Sequence, residues 1–134
     1  MLKEFIFCLY DHNSLMYEIE IKKYFKTLIY SVGYVETNGK IKRISHKLLS
    51  YKKSILFSDG IENIKLENKV DDYYVHGFNY VDQYCWRLYI KINSSEDTTY
   101  LTGKDSYPLF LNLYLDEIRK IDKNVQVCDK YIFK

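Results

Sequence analysis

The residues from 86 to 92 alternate between apolar and polar side chains, and this alternation constrains the fold more than any other part of the chain. The apolar set is Trp86, Leu88, Ile90 and Ile92, and the intervening set is Arg87, Tyr89 and Lys91. A period of two places the two sets on opposite faces of a β-strand. We therefore predict a strand that packs Trp86 into a core and carries two cations and a tyrosine on its other face.

The residues that follow predict a return strand and then a helix. The polar run at 93–97 suits a turn, and residues 98–102 are β-branched or bulky, as in a strand that Gly103 ends. We expect a positive φ at Gly103. Asp105 or Ser106 can cap a helix that has Pro108 in its first turn and an apolar stripe over residues 109–121.

Two short patterns in this part of the chain resemble those of a small uncharacterised domain from low-GC bacteria. Residues 82–90 follow the pattern D-x-x-x-W-x-L-x-I, and residues 103–108 follow G-x-x-x-Y-P before the amphipathic helix. The similarity covers about the last third of the chain, and Gln83 stands where the family usually has glycine. The resemblance implies a shared fold element, but no chemistry is known for it, so no function is transferred.

The first third of the chain is rich in strand patterns. Residues 4–10 are nearly all apolar, which predicts a central strand covered on both faces. Alternation predicts half-exposed strands at 17–22 and 25–35. The Asn-Gly pair at 38–39 is a strong signal for a tight turn, across which residues 41–44 can pair back.

The middle of the chain predicts one helix and a further strand. Ser45 is a suitable cap for a helix that runs through Phe57 and stops at the Ser-Asp-Gly sequence of residues 58–60. A strand is predicted at 73–81, and a terminal strand is predicted at 125–133. Together these elements predict an α+β fold, in which two helices pack on one face of an antiparallel sheet of about six or seven strands.

Composition places the chain among ordinary globular domains. It has 134 residues, of which 47% are hydrophobic and 28% charged, and we predict a single domain over residues 1–134. The net charge of +2 makes no overall case for nucleic acid. The N-terminus lacks a signal-peptide pattern, and no apolar run is long enough to span a membrane, so we expect a cytoplasmic protein.

The three cysteines, Cys8, Cys85 and Cys128, are far apart and form no C-x-x-C pair. This spacing argues against a zinc site or a disulfide framework and favours buried, reduced thiols. We expect neither a metal site nor a cofactor.

Catalysis is the minority hypothesis. His12 lies beside an aspartate in a turn, and His46 lies beside a serine at the expected helix start, where turn formation and capping explain both pairs more simply. His76 could serve a metal-independent RNase together with Arg87 and Tyr89, although an ordinary histidine is the commoner case.

Two binding surfaces are predicted. The first is a basic segment without any acid, made of Lys40, Lys42, Arg43, Lys47, Lys52 and Lys53. The second is a sheet face in which aromatic residues alternate with cations, made of Arg87, Tyr89, Lys91, Tyr74, His76 and Tyr80. The sheet face could stack bases or form a protein hot spot, unless a helix covers it. The basic segment could equally be the solvated face of a helix.

We therefore expect a small non-catalytic protein that acts by binding a protein partner. An inhibitor of the kind carried by phages and mobile elements of AT-rich bacteria, such as an anti-defence, anti-CRISPR or immunity protein, is the favoured role. The alternative is a nucleotide or RNA binder that uses the basic segment or the tyrosine-rich face, and an RNase comes third. A homodimer is also compatible with the sequence, since an unpaired edge strand could join two copies.

Overall fold

The computed structural model describes residues 1–11, 14–35, 38–64, 72–74, 84–93, 98–104 and 110–123. Within these ranges the chain forms seven strands and two helices. The strands are β1 (Glu4–Asp11), β2 (Ser14–Tyr24), β3 (Thr27–Val35), β4 (Ile41–Leu48), β5 (Asp72–Tyr74), β6 (Tyr84–Lys91) and β7 (Thr98–Lys104). The helices are α1 (Tyr51–Glu62) and α2 (Leu111–Ile121).

The strands form one sheet in the order β4-β3-β2-β1-β6-β7-β5. Every neighbouring pair is antiparallel except the last, because β5 runs parallel to β7 at the edge. The α+β prediction is confirmed, since both helices pack on the same face of this sheet. Of the strand predicted at 73–81, the first two residues belong to β5 and the others lie outside the described residues, as does the strand predicted at 125–133.

The core lies between the helices and that covered face of the sheet. Phe5, at the centre of the covered face, contacts both helices: its ring centroid lies 6.1 Å from that of Phe57 in α1 and 6.3 Å from that of Tyr114 in α2. Trp86 is fully buried and makes an edge contact with Phe110, with centroids 6.4 Å apart. The alternation in β6 therefore places Trp86 in the core as predicted.

The strand β1 has one face covered by the helices, and the expected cover on its other face stays a prediction. Its central position is confirmed, but no described element packs on the face opposite the helices. Ile6 and Tyr10 on that face are half-buried, and Cys8 is 9% exposed.

The predicted helix start at Ser45 is wrong, because residues 41–48 form β4. This strand pairs with β3 across the Asn38-Gly39 turn, where Gly39 has the expected positive φ of 81°. Non-local strand pairing overrides the local helical spacing. The cap is instead Ser50, whose hydroxyl accepts a 3.2 Å hydrogen bond from the backbone N–H of Lys53.

The serine and glycine that were expected to stop α1 lie within it. The Ser58 hydroxyl accepts a 2.7 Å hydrogen bond from the N–H of Leu2, in a buried position. Gly60 lies against α2, where a Cβ would overlap the Glu117 carboxylate. Ser58 therefore ties the helix to the backbone at Leu2, Gly60 leaves room for the Glu117 side chain, and α1 continues to Glu62.

The predicted positive φ at Gly103 is wrong. Among the described glycines, only Gly39 has a positive φ. Gly103 lies inside β7, opposite Trp86 on β6, and does not end the strand. Helix α2 begins at Leu111, after Phe110 at the cap position; the predicted caps Asp105 and Ser106, with Pro108, lie outside the described residues.

Candidate functional site

The face of the sheet opposite the helices, called here the open face, carries the polar members of each alternating strand. The strand register places residues of six strands, β4 to β7 in the sheet order, side by side in rows. One row contains His46, Ser31, Glu20, Ile6, Tyr89 and Tyr100, and the next contains Gly33, Glu18, Cys8, Arg87 and Thr102. Strand pairing therefore assembles this face from residues as far apart in sequence as Ile6 and Tyr100.

Three of the predicted binding residues lie together on the open face. Arg87 is exposed, and Tyr89 and Lys91 are half-buried, all on β6. Tyr74 is part of β5, which β7 separates from β6. His76 and Tyr80 lie outside the described residues, so the structure brings together half of the predicted set.

An acidic strip that sequence reasoning missed runs beside this row. Three glutamates lie on the open face. Glu18 and Glu20 are on β2, which pairs with β1 on the side away from β6, and Glu4 is on β1 itself. Lys22 marks the end of the strip, with its Nζ 3.8 Å from Glu4 and 3.5 Å from Glu20. The alternation of glutamates in residues 17–22 was the available signal, but only the pairing order reveals that they flank Arg87.

Cys8 and Tyr10 occupy the centre of the open face, between the acidic strip and β6. The guanidinium carbon of Arg87 lies 5.0 Å from the centroid of the Tyr10 ring, a cation–π contact. Burial, and then the negative charge of Glu18, raises the pKa of the Cys8 thiol to about 11. Burial also raises the pKa of Tyr10. The thiol is therefore protonated near neutral pH, which is the poorly nucleophilic form.

The residues of the predicted basic segment are distributed over β4, the turn before it and the start of α1. Lys42 and Lys47 lie on the helix side of β4, opposite Tyr34 and Tyr30, because the strand alternates. Arg43 is paired with Gly33 in the β3–β4 register. The remaining members are distributed between the turn and the first helical turn, at Lys40, Lys52 and Lys53.

Two of these lysines have structural contacts. Lys47 donates a 3.2 Å hydrogen bond to the carbonyl of Ile121 at the end of α2, and its Nζ lies 5.6 Å from the Tyr30 ring centroid. The Nζ of Lys42 lies 6.0 Å from the Tyr34 ring centroid. A cation at a helix C-terminus stabilises the helix, so at least Lys47 has a local role.

The pairing of Ser45 with His46 as neighbouring catalytic groups is not supported by the geometry. Ser45 lies opposite Val32 on the covered face, whereas His46 lies opposite Ser31 on the open face and is exposed. Successive residues of a strand point to opposite faces, so the two side chains diverge. His12 lies outside the described residues.

A cleft of about 250 Å³ lies between the two helices. Its lining includes Lys53, Leu56 and Phe57 of α1 and Glu117, Lys120 and Ile121 of α2. The Glu117 carboxylate accepts a 2.9 Å hydrogen bond from Lys120. The volume lies just below the lower limit of about 300 Å³ for typical small-molecule sites, and two of its charged groups, Glu117 and Lys120, pair with each other.

In the described part of the chain, no cluster of three or more His, Cys, Asp or Glu residues could hold a metal ion. Neither helix among these residues is both long and apolar enough to cross a bilayer. Comparisons with protein-family models, with curated proteins and with solved structures found no match to this chain. The resemblance to the small domain of low-GC bacteria therefore stays a prediction.

Proposed function

We propose that the protein acts by binding a partner protein on the open face. The observation that carries the proposal is the acidic strip of Glu4, Glu18 and Glu20, which lies beside the cationic and aromatic row of β6. A surface with both signs of charge at close range matches a protein of complementary pattern, and the pattern sets the orientation in which the two dock.

The size of the open face suits this role. It spans six strands, from β4 to β7, at a spacing of about 4.8 Å, and each strand contributes about seven residues of about 3.4 Å. The resulting area of roughly 600 Å², before side-chain relief is added, approaches the roughly 800 Å² that each partner buries in a standard protein interface.

The residue types at the centre of the face are those of interaction hot spots. Tyrosine and arginine dominate such sites, and Tyr10, Arg87, Tyr89 and Tyr100 are within the described part of this face. The contact of Arg87 with the Tyr10 ring holds both side chains in one arrangement before binding. Less side-chain entropy is then lost when the partner docks.

The same pattern disfavours nucleic acid as the main ligand. Phosphates that approached Arg87 and Lys91 would also meet the carboxylates of Glu18 and Glu20 across β1. The basic segment, which was the other candidate, is distributed over β4, the turn before it and the first turn of α1. Non-catalytic binding also suits an inhibitor that blocks a functional surface of its partner, which is the role that the sequence favours.

The test is co-purification of the tagged protein from its source cells at low and at high salt, followed by titration of the identified partner with purified variants. We expect Tyr89→Ala to weaken binding at least tenfold, since tyrosine anchors carry much of the energy of an interface. Leu113→Ala, which removes a side chain 50% exposed on α2, is the matched control and should bind normally.

Charge variants separate the protein partner from nucleic acid. With a protein partner, Glu18→Lys should weaken binding, and Lys42→Glu on the other face should leave it unchanged. If the co-purified material instead absorbs at 260 nm, dissociates at high salt and is lost with Lys42→Glu, the ligand is nucleic acid and the proposal is wrong.

A further inference from the structure

The turn between β2 and β3 holds a phenylalanine in an unfavourable backbone conformation. Tyr24 lies opposite Thr27, so Phe25 and Lys26 form a two-residue hairpin turn. Phe25 has a φ of 57°, and among the described residues no other non-glycine residue has a positive φ. Glycine or asparagine is preferred in this left-handed region, and a bulky residue there is strained.

The same phenylalanine is exposed to solvent instead of being packed into the core. Its side chain is 80% exposed, and that of the adjacent Tyr24 is 51% exposed. The two rings pack edge to face, with centroids 4.6 Å apart and an angle of 79°. They form a defined apolar projection, called here the aromatic tip, which neither the core nor the turn geometry requires.

The surroundings of the aromatic tip are cationic. Lys23 and Lys26 flank the two aromatic residues in the sequence. Lys3 lies beside Lys23, because the backbone N–H of Lys23 donates a 2.9 Å hydrogen bond to the carbonyl of Lys3. All three lysines are exposed. Residues 21–35 contain no acid, so no carboxylate of the hairpin itself neutralises this group.

We propose that the aromatic tip is an anchor, which inserts Phe25 into an apolar pocket of the partner protein whose rim is acidic. Strain and solvent exposure at one residue are explained if binding covers the ring, and a side chain held in place by its backbone loses little freedom on insertion. The exposed lysines match carboxylates around such a pocket. This inference rests on the proposed function, because the register places Tyr24 on the same side as the open face.

A protein pocket fits better than a membrane or a nucleic acid. One pair of rings with three lysines is a small anchor, and stable membrane attachment usually takes stronger or multiple signals. Proteins that bind single-stranded nucleic acid usually stack several successive bases on aromatic side chains along a basic groove, whereas the aromatic tip has one pair of rings on a projecting turn.

The experiment places the photo-cross-linking amino acid p-benzoylphenylalanine at position 25 of the full chain in its source cells. The same substitution at Leu113, on the outer surface of α2, is the control. We expect position 25, but not position 113, to cross-link to one protein, at a peptide with apolar residues next to Asp or Glu. Purified Phe25→Gly should bind that protein at least tenfold more weakly, although its thermal midpoint should rise because glycine relieves the strained φ.

Phe25→Asn is a second variant, since asparagine also tolerates the left-handed region while removing the ring. Equal cross-linking from both positions, or unchanged affinity with both variants, would overturn the anchor. Two further controls are vesicles of phosphatidylglycerol and phosphatidylcholine and a single-stranded oligonucleotide. If the wild type binds either one and Phe25→Gly does not, the protein-pocket anchor is wrong and that ligand replaces it. If Tyr89→Ala abolishes binding of the partner and Phe25→Gly does not, the anchor proposal is wrong and the open-face proposal is supported. If Phe25→Gly abolishes binding and Tyr89→Ala does not, the open-face proposal is wrong and the anchor proposal is supported.

Discussion

Gly103 lies directly opposite Trp86 across the β6–β7 pair, and its missing side chain leaves the space that the indole occupies. A Cβ at this position would overlap the indole ring. Trp86 is the largest fully buried side chain of the described core. The glycine is thus required by the packing of one aromatic ring and not by a turn.

Gly103→Ala should therefore destabilise the fold. Overpacking at a close contact usually costs about 1–3 kcal/mol. We expect that loss in the free energy of unfolding, measured by urea denaturation. In the double variant with Trp86→Phe, the added methyl should cost less than it does in the wild type, because the smaller ring leaves room for it. Equal costs in both backgrounds would show that the two residues are not coupled.

Ser54→Ala should destabilise the junction between α1 and β3. The Ser54 hydroxyl is fully buried and accepts a 3.0 Å hydrogen bond from the N–H of Leu28. Alanine would leave that buried donor without this acceptor, at a cost of about 1–3 kcal/mol. The control is Lys52→Ala, an exposed change in the same helix, which should stay within about 0.5 kcal/mol of the wild type.

Tyr30→Phe should loosen the end of α2 from the sheet. The Tyr30 hydroxyl donates a 2.9 Å hydrogen bond to Asp122 Oδ2, at the residue after the helix. Loss of this bond should cost about 1–2 kcal/mol, and the amide protons of the last turn of α2 should exchange faster. Tyr100→Phe, at an exposed tyrosine, is the control for removal of a hydroxyl. Unchanged exchange rates in α2 would contradict the expected role of this bond.

Stability should fall as the pH rises above 9, partly because of Cys8. The folded protein raises the pKa of this thiol from the ordinary value of 9.0 to about 11, so the folded state keeps the proton more tightly than the unfolded state. Below pH 9 the contribution is fully present, and between pH 9 and 11 it is lost as the unfolded thiol ionises. Burial also raises the pKa of Tyr114, to about 12, which extends the decline.

The comparison of the wild type with Cys8→Val isolates the thiol. Between pH 8 and pH 11, the free energy of unfolding should decrease more for the wild type than for the variant. The difference between the two decreases should be on the order of 1 kcal/mol. Tyr114 titrates in both proteins and cancels in the difference. An equal decline in the two proteins would mean that Cys8 does not respond to pH as its burial predicts.

Local alternation determined most of the sheet before any tertiary contact was known. The strands that contain Tyr17, Leu28 and Trp86, and the faces of those strands that pack in the core, follow from a period of two residues. The Asn38-Gly39 turn follows from backbone preference alone. These features depend on neighbours in the sequence, so the sequence is sufficient to predict them.

Tertiary structure decided the features that depend on distant partners. Ser45 and Ser50 are both acceptable caps, and the pairing of residues 41–48 with β3 selects Ser50. Likewise, the sequence contains Glu18 and Arg87 far apart, and only the order of β2, β1 and β6 places an acidic strip beside a cationic row. Non-local backbone pairing, which no short window of sequence contains, determines both the start of α1 and the charge pattern of the open face.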